Sequence, residues 1–513
     1  MRLWLGPLAL VLALSATASA DTRIRILHAN DTHAHMEPTM IKGKAYGGWA
    51  KFATAVQRNW AQDEPCFLLH GGDAFQGTLF FNVYEGLADA AVMNAIGFDA
   101  MAVGNHEFDK GPAALARFAS LAEFPLLAAN LDMSQEPLLK ELIAPHAVIE
   151  SKGFRIGVVG ACTEDLPFIS SPGENVKVEK LVPSLQREID LLAGQGVNVI
   201  VVVSHCGYDV EKDYATKLRG VDVVVGGHSH TLLGNVQFPN EQPVRGPYPT
   251  VMKNADGKTA LVVQAWEWSK VLGKLQLVVD DAGNIVSWEG SEAIAIDDRF
   301  HEDRTIASMI GAFKKPIEAL MAKPAGELKV ELGRAGSDGD SPMGNFIADA
   351  MLAATKQQST VAAFMNAGGV RASLPAGPVT FGQVIEVQPF ANTLVVLEVS
   401  GAEIKQALEN GAARLGLLAV SEGTSYRADR AMPENSRVSD VVIGGSPLEL
   451  GKTYRIVTNS FIAAGGDAQT VLKDAKGYRF DTGLVDSDTL IEYLQARSPV
   501  SEAPPKRVVA VGS

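Results

Sequence analysis

Five short apolar runs in the first half of this chain each lead into polar residues of a restricted kind. The runs end at residues 27, 69, 103, 203 and 225, and glycine, asparagine, aspartate, serine or histidine follows them. With the helical stretches between them, these runs indicate an α/β arrangement over residues 24–290, with strands buried on both faces. The carboxyl ends of parallel strands share one edge of a sheet, so the polar residues are expected to meet there.

Seven of these polar side chains offer oxygen or nitrogen ligands, and none offers a thiolate. They are Asp31, His33, Asp73, Asn105, His205, His228 and His230. This ligand chemistry suits zinc, manganese or cobalt. Seven ligands are too many for one catalytic ion but fit two divalent ions if one carboxylate bridges them. Asp73 is the predicted bridge, because Gly71 and Gly72 leave room for close approach. For His28 and His35 we expect ordinary hydrogen-bonded roles.

The segment Gly-Asn-His-Glu-Phe-Asp at residues 104–109 places three chemically different side chains at one strand end. Asn105 can offer a carbonyl oxygen to a cation, and His106 offers a titratable ring. Asp109 lies one helical turn beyond His106, where its carboxylate can orient that ring. With Asn105 assigned to a metal, His106 is left for catalysis. The segment therefore indicates hydrolytic chemistry rather than core packing.

The first twenty residues predict a signal peptide that is cleaved after Ala20. Arg2 precedes an apolar stretch over residues 3–14, and residues 18–20 have the small side chains of a cleavage site. A membrane anchor is the alternative, but the stretch is shorter than the about 20 residues that a spanning helix needs. No other segment approaches that length. We expect an exported protein, periplasmic or secreted, without a membrane span.

Length and charge restrict the architecture and the partners. The 513-residue chain far exceeds the about 250–300 residues at which a single core stops growing, so two domains are expected. The formal net charge of −14 argues against binding to nucleic-acid polymers. An anionic substrate therefore needs local positive charge, which bound metal ions can supply. The three cysteines do not describe a disulfide framework, and we expect free thiols.

Periodicity and composition predict five segments along the chain. A helical apolar stripe over residues 301–323 indicates one amphipathic helix, which ends before Pro324. A second α/β pattern begins near residue 327. The predicted segments are a signal peptide at 1–20, a catalytic domain at 21–300, a linker helix at 301–326, a second domain at 327–500 and a loosely attached tail at 501–513.

The polar blocks of the first half resemble those of calcineurin-like metallophosphoesterases. The matching motifs are Asp31-x-His33, Gly-Gly-Asp73, Gly-Asn105-His106-Glu107, His205 and Gly-His228-Ser-His230. The resemblance implies a mixed four-layer αββα core. It also implies that Asp31, His33, Asp73 and His230 hold one metal, that Asp73, Asn105, His205 and His228 hold the other, and that His106 with Asp109 stabilises the transition state or assists the leaving group. Relatives can have Gln or Asn in place of His230, which is expected to alter metal affinity or choice.

Three motifs of the second half resemble the C-terminal domain of the 5'-nucleotidase family, which includes bacterial UDP-sugar hydrolases and animal ecto-5'-nucleotidase. They are Asn366-Ala-Gly-Gly-Val-Arg371, Gln-Pro-Phe390 and Ser-Phe461-Ile-Ala-Ala-Gly-Gly-Asp467. The resemblance implies that Phe390 and Phe461 sandwich a nucleobase, that Asp467 holds ribose hydroxyls, and that Asn366 and Arg371 contact base and phosphate. Ser337 stands where the family often has another phosphate-binding Arg, and the role of Arg334 stays open.

The leading hypothesis is an exported two-metal phosphohydrolase that removes phosphate from nucleoside 5'-monophosphates, with di- and triphosphates as further candidates. A hinge near residues 301–335 would close over the bound nucleotide. One alternative keeps the site but cleaves UDP-sugars, NAD or cyclic nucleotides, and another hydrolyses thiosulfate esters. A third alternative is a nucleotide-binding protein without catalysis. The oligomeric state is open.

Overall fold

The computed structural model describes residues 21–239, 244–334, 339–390, 392–413 and 416–511, with only the backbone of residues 168 and 169. The predicted signal peptide at residues 1–20 lies outside the described residues, as does Ser337. In the described part of the chain, no helix has both the length and the apolar character needed to cross a membrane.

The first half alternates strands and helices. In chain order they are β1 Thr22–Ala29, β2 Thr39–Ile41, β3 Lys44–Tyr46, α1 Trp49–Asn59, β4 Cys66–His70, α2 Leu79–Tyr84, α3 Leu87–Ile96, β5 Ala100–Ala102, α4 Gly111–Leu121, β6 Leu126–Leu127, β7 Leu131–Asp132, β8 Ile143–Ala144, β9 His146–Ser151, β10 Phe154–Cys162, α5 Leu166–Ile169, β11 Lys177–Val178, α6 Leu181–Gly194, β12 Ile200–His205, α7 Tyr208–Ala215, β13 Val223–Val225, β14 Thr250–Lys253, β15 Thr259–Val263, β16 Val271–Val279, β17 Ile285–Ser287, β18 Glu292–Ala295 and α8 Arg304–Met321.

These strands form two large mixed sheets. The first has the order β17-β16-β1-β4-β5-β6-β8, with β18 also paired to β16. Its strands β1, β4, β5, β6 and β8 are parallel to one another. The second has the order β14-β15-β13-β12-β10-β9, and β15, β13, β12 and β10 are parallel. The strands that precede the predicted ligands therefore lie side by side in the two sheets, as the apolar runs predicted.

The two sheets pack face to face, and helices cover both outer faces. Buried aliphatic side chains such as Ile26 and Leu69 from the first sheet meet Val201 and Val225 from the second. Helices α1, α3, α4 and α8 pack on the outer face of the first sheet, and α6 and α7 pack on the second. Strands with apolar side chains on both faces require this coverage. The four-layer αββα arrangement is confirmed.

The second half continues with a further series of elements. They are β19 Pro324–Leu328, α9 Pro342–Ala354, β20 Ala362–Met365, β21 Gly377–Thr380, α10 Phe381–Val387, β22 Thr393–Ser400, α11 Gly401–Ala413, β23 Ala419–Val420, β24 Ser425–Asp429, β25 Val438–Ile443, β26 Ser446–Pro447, β27 Thr453–Asn459, α12 Ser460–Ala463, α13 Thr470–Lys473, β28 Arg479–Val485, α14 Asp486–Arg497 and β29 Val508–Val511.

A five-stranded sheet of order β23-β20-β27-β22-β28 forms the centre of this second half. One face packs against α9, α10 and α14. The other face packs against α11 and a four-stranded sheet of order β26-β25-β24-β29. The helix α10 begins with a capping box in which Thr380 and Gln383 exchange side-chain and backbone hydrogen bonds, which fixes its start.

The end of the chain differs from the expected loose tail. Residues Val508–Val511 pair in parallel with β24, and Val508 is buried in the core of the second half. The guanidinium of Arg507 lies 2.7 Å from Oδ1 and 2.9 Å from Oδ2 of Asp349, and the pair is buried. The apolar residues and this ion pair attach the end firmly, because a buried Arg requires such a partner.

The two halves contact each other beside the segment 104–109. Nδ2 of Asn82 donates to both carboxylate oxygens of Asp488, at 3.1 and 3.2 Å. Gly483 has a positive φ of 67°, and a Cβ atom at this position would lie 2.6 Å from the carbonyl oxygen of Asp109. Only a glycine therefore permits this approach of β28 to the predicted catalytic residues.

Candidate dinuclear metal site

The predicted ligands lie on the loops that follow β1, β4, β5 and β13, and at the last residue of β12. Five of the seven have left-handed backbone conformations: Asp31 (φ 50°), His33 (48°), Asp73 (58°), His228 (73°) and His230 (47°). Such conformations are unfavourable for non-glycine residues and concentrate at functional sites. The backbone is thus bent to direct these side chains toward one another.

Asp31, His33 and His230 form the first of two ligand clusters. The Nε2 atoms of His33 and His230 lie 3.0 Å apart. Oδ1 of Asp31 lies 3.4 Å from Nε2 of His230 and 4.0 Å from Nε2 of His33. All three ligand atoms can therefore reach one cation.

Asp73, His205 and His228 form the second cluster. Nε2 of His205 lies 2.8 Å from Oδ2 of Asp73. Nδ1 of His228 lies 3.0 Å from Oδ1 of Asn105, which brings the amide to this cluster. The structure thus brings together all seven predicted ligands, in the two groups that the resemblance implied.

Asp73 lies between the two clusters. Its Oδ2 is 2.8 Å from Nε2 of His205 in the second cluster and 3.9 Å from Nε2 of His33 in the first. Burial opposes ionisation, but His205 and His106 hold the pKa of the Asp73 carboxyl well below its usual range. A permanently charged carboxylate in this place has the position of a bridging ligand.

The histidine side chains fit a pair of divalent cations. Nδ1 of His33 donates to the carbonyl of Phe75 at 2.9 Å, and Nδ1 of His205 donates to the carbonyl of Gly71 at 2.8 Å. Their Nε2 atoms are then lone-pair donors that face the clusters. Nε2 of His205 is buried and, among the described residues, has no hydrogen bond of acceptable geometry. A cation bound here would accept the lone pair of this atom. In the first cluster, a cation would likewise offset the repulsion between the Nε2 lone pairs of His33 and His230.

His106 and Asp109 lie beside these clusters and form a hydrogen-bonded pair. Nδ1 of His106 donates to Oδ2 of Asp109 at 2.6 Å. The hydroxyl of Ser170 donates to Oδ1 of Asp109 at 2.8 Å, and Gln76 donates to Oδ2 at 3.2 Å. Burial works against the charged ring, but Asp109 and Asp73 raise the pKa of His106 well above its usual value. The ring is therefore oriented, and its Nε2 lies 3.9 Å from Oδ2 of Asp73.

Glu107 has a supporting role that the sequence analysis missed. Its two carboxylate oxygens accept hydrogen bonds from the backbone N–H groups of Asp73 (3.0 Å), Ala74 (2.8 Å), Phe75 (3.1 Å) and Gly104 (2.7 Å). One buried side chain thus holds the loop that carries Asp73 against the loop that carries Asn105. Its place inside the Gly-Asn-His-Glu segment was the available signal.

A second buried glutamate, Glu211, acts in the same way on the loop of His228. It accepts from the backbone N–H of Gly227 at 3.1 Å and from the side chain of Gln264 at 2.7 Å. Gln264 also donates to the carbonyl of Gly227 at 2.8 Å. No local sequence signal marks this residue, because it lies on α7 at a distance from the loop along the chain.

The predicted substrate residues of the second half form smaller groups. Nδ2 of Asn366 donates to Oδ2 of Asp467 at 2.7 Å. The guanidinium of Arg371 lies 5.6 Å from the ring centre of Phe390. Within the described part of the chain, the Phe390 and Phe461 rings do not stack on each other. Arg334 is exposed, and its backbone N–H donates to Ser373 at 2.8 Å.

Asp481 is another residue near the predicted catalytic pair, His106 and Asp109, that sequence reasoning missed. It lies on β28, and its carboxylate accepts from the hydroxyl of Thr393 at 2.6 Å and the N–H of Gly483 at 3.1 Å. Burial and then the carboxylate of Asp109 raise the pKa of Asp481 to about 7. The second half thus places a carboxyl group within electrostatic reach of Asp109.

The fold and the two ligand clusters define a metallophosphoesterase of the calcineurin-like class. Residues 24–232 match the family model described as calcineurin-like phosphoesterase, and residues 324–474 match the 5'-nucleotidase C-terminal domain. The chain belongs to the 5'-nucleotidase family.

Relatives match nearly the whole chain. A 5'-nucleotidase from Diplobatis ommata is 33% identical, over 98% of this chain and 92% of its own length. The crystal structure of a 5'-nucleotidase precursor from Thermus thermophilus is similar, with 43% identity, a TM-score of 0.67, and coverage of 96% of this chain and 100% of that chain. The structure of an NAD nucleotidase from Haemophilus influenzae has 26% identity and a TM-score of 0.76, with coverage of 96% and 100%.

Proposed function

We propose that this protein hydrolyses nucleoside 5'-monophosphates to nucleosides and phosphate, with two divalent metal ions bound at the strand ends. The observation that carries the proposal is the joining of two ligand clusters through Asp73 in a chain of the 5'-nucleotidase family. Asp31, His33, Asp73 and His230 would hold one ion, and Asp73, Asn105, His205 and His228 the other. Zinc, manganese or cobalt suits these ligands.

Two such ions, when bound, polarise the phosphoryl group and make a water molecule nucleophilic near neutral pH. His106 would donate a hydrogen bond from its Nε2–H to the phosphate, where negative charge increases in the transition state. Asp109 would keep the ring in place through its 2.6 Å hydrogen bond to Nδ1. The position of the ring supports this role, because its Nε2 lies 3.9 Å from Oδ2 of Asp73, beside the proposed metal site.

The second half would choose the nucleotide. Phe390 and Phe461 would stack on the two faces of the base, since both rings are exposed and can accept a planar group. Asp467 would accept hydrogen bonds from the ribose hydroxyls, and Asn366, which donates to Asp467, would contact the base. Arg371 would contribute to phosphate binding. The hinge over residues 301–335 would bring the nucleotide to the metal ions.

Export to the periplasm or to the outside of the cell is part of the proposal. It rests on the signal-peptide pattern of residues 1–20. Mass spectrometry of the protein from its native host would show whether the mature chain begins at Asp21, as the proposal requires.

Hydrolysis of a pyrophosphate bond is the second candidate, because an NAD nucleotidase is among the similar structures. The decisive experiment measures phosphate release from AMP beside cleavage of NAD and UDP-glucose, with zinc, manganese or cobalt added. We expect AMP to have the highest kcat/KM. Absence of AMP hydrolysis with every ion would contradict the proposal, and preferential cleavage of NAD would favour the second candidate.

The variant His106→Ala separates an enzyme from a nucleotide-binding protein without catalysis. We expect kcat to fall by about 10²-fold or more, with nucleotide binding and metal content retained. His146→Ala is a matched control, because His146 also pairs with a carboxylate, Glu188 at 2.8 Å, but lies on the edge strand β9. Unchanged turnover in His106→Ala would refute the assigned role.

A further inference from the structure

His230 differs from the other histidine ligands in the group that its second ring nitrogen contacts. Nδ1 of His230 donates to the carboxylate of Glu267 at 2.5 Å. In contrast, His33 and His205 donate to the backbone carbonyls of Phe75 and Gly71. A carboxylate is a stronger acceptor than a neutral carbonyl and makes the opposite ring nitrogen a better metal ligand.

The His230 ring is also less enclosed than the rings of His33 and His205. Its side chain is 31% exposed, compared with 8% for His33 and 0% for His205. Packing alone therefore restrains its rotation less than it restrains the rings of His33 and His205. The hydrogen bond to Glu267 supplies the missing restraint and directs Nε2 toward Oδ1 of Asp31, which lies 3.4 Å away.

Glu267 is itself held in place by Lys270. Nζ of Lys270 lies 2.6 Å from Oε1 of Glu267, the carboxylate oxygen that does not face His230. The Lys270 side chain is buried, and its Nζ lies 3.6 Å from the ring centre of Trp266 and 4.3 Å from that of Trp268. This arrangement offsets the cost of a buried charge and fixes both carboxylate oxygens.

The loop that carries Glu267 is strained. Trp266, Trp268 and Ser269 have positive φ angles of 59°, 55° and 51°. The loop is attached to the segment that carries Asp31. The N–H of Trp268 donates to the carbonyl of Asp31 at 2.8 Å, and the side chain of Asn30 donates to the carbonyl of Trp266 at 2.7 Å. Strain of this kind persists only where the surrounding structure enforces it, so the position of Glu267 relative to His230 is specified.

We propose that Glu267 is a positioning residue that fixes the orientation of His230 and thereby sets the affinity of the Asp31–His33–His230 cluster for its cation. The inference rests on the proposed function, since it assumes that this cluster binds a metal ion. It adds a residue outside the seven ligands and the catalytic pair. The second cluster, which does not contact Glu267, acts as an internal reference.

The first test compares the metal affinities of the wild type, Glu267→Gln and Glu188→Gln, using metal-free full-length protein titrated with Zn²⁺ against a chelator of known affinity. We expect Glu267→Gln to weaken one of the two ions by about 10- to 100-fold and to leave the other unchanged. Glu188→Gln is the matched control, because it removes a Glu–His pair of 2.8 Å at His146, outside both clusters. Equal affinities in the wild type and Glu267→Gln would overturn the inference.

A double-mutant cycle with His230→Asn shows whether Glu267 acts through the imidazole. In the His230→Asn background, Glu267→Gln should cause no further loss of affinity, since the contact has already been removed. An undiminished loss in that background would overturn the inference. If the wild type binds no ions at all, both the proposed function and the inference about Glu267 fail. If the wild type binds two ions and the affinity of Glu267→Gln is unchanged, only the inference about Glu267 fails.

Discussion

The seven candidate metal ligands, here called the metal rim, and the proposed substrate residues of the second half differ in how much the fold constrains them. Asp31 and His205 are 0% exposed, whereas Phe390 is 53% and Phe461 is 47% exposed. Each rim residue is tied to its neighbours by hydrogen bonds, and Glu107 alone accepts four backbone hydrogen bonds. The comparison shows a buried, hydrogen-bonded candidate site in the first half and open aromatic surfaces in the second.

The difference follows from what each region has to do. Metal ligands and the atoms that contact a transition state must be positioned before the substrate arrives, because reorganisation would raise the barrier. A stacking surface must stay open until a base covers it. Disrupting the first region should therefore affect every phosphoester, and disrupting the second should affect only nucleotides.

The largest effect is expected for Asp73→Asn, which tests the rigid region. Replacing the carboxylate between the clusters removes the charge that both ions would share, and kcat/KM should fall by about 10³-fold or more. The loss should be the same for AMP and for p-nitrophenyl phosphate. Metal analysis of the purified variant should show reduced occupancy, while Asp209→Asn on the exposed face of α7 should retain activity and metal. Full activity of Asp73→Asn would exclude a bridging role.

The next largest effect is expected for Phe390→Ala and Phe461→Ala, which test the open region. Loss of one stacking face should cost about 1–3 kcal/mol of base binding, or about 5- to 150-fold in the KM for AMP. Hydrolysis of p-nitrophenyl phosphate, which has no base, should be unchanged. Tyr478→Ala is the control, since Tyr478 is 46% exposed but packs against Phe480 and Arg455. Equal losses on both substrates would show that these rings serve packing instead.

The two regions also differ in how far the sequence predicted them. The strands β1, β4, β5, β12 and β13 and the meeting of the seven candidate ligands were predicted, because apolar runs and the motifs that follow them are local signals. The second α/β pattern that was predicted to begin near residue 327 was confirmed as well. The helix that was predicted at 301–323 from its apolar stripe is observed as α8 over Arg304–Met321.

The contacts that support the site were not predictable in this way. Glu267 meets His230, and Gly483 meets Asp109, across long separations in sequence. Nothing in the residues around Glu211 or Asp481 marks them, because their role depends on which loops the folded chain brings beside them. The C-terminal tail was misjudged for the same reason, since the partner of Val508–Val511 is the distant strand β24.

Gly483→Ala tests a contact between the two halves of the chain, and we expect it to affect AMP turnover less than the variants above. A methyl group would meet the carbonyl oxygen of Asp109 at 2.6 Å, so β28 must move away from the catalytic pair. We expect a cost of about 1–3 kcal/mol to this arrangement of the halves. Small-angle scattering should show a more open average shape, and turnover of AMP should change. Gly377→Ala is the control, because it has a positive φ of 127° and open space around it. An unchanged scattering profile would mean that this contact does not hold the halves together.

The smallest effect on turnover is expected for Asp222→Asn. Asp222 lies at one end of β13, and the loop with His228 follows the other end, so this variant tests whether the two ends have different roles. Asp222 directly precedes β13, at the end opposite the rim, and its Oδ2 accepts from the N–H of Ile200 at 2.8 Å. Burial raises the pKa of Asp222 to about 7. The pKa of this carboxyl in the unfolded chain is about 3.9, so folding favours the protonated form. This contribution to stability is therefore present in acid and lost as the pH rises from about 4 to about 7.

Asparagine accepts the same hydrogen bond but cannot ionise. Urea unfolding of the wild type should therefore show a steeper decline in the free energy of unfolding between about pH 4 and about pH 7 than Asp222→Asn does. Parallel curves for the two proteins would show that Asp222 ionises normally in the folded state, and unchanged AMP turnover would separate this end of the strand from the end that carries His228.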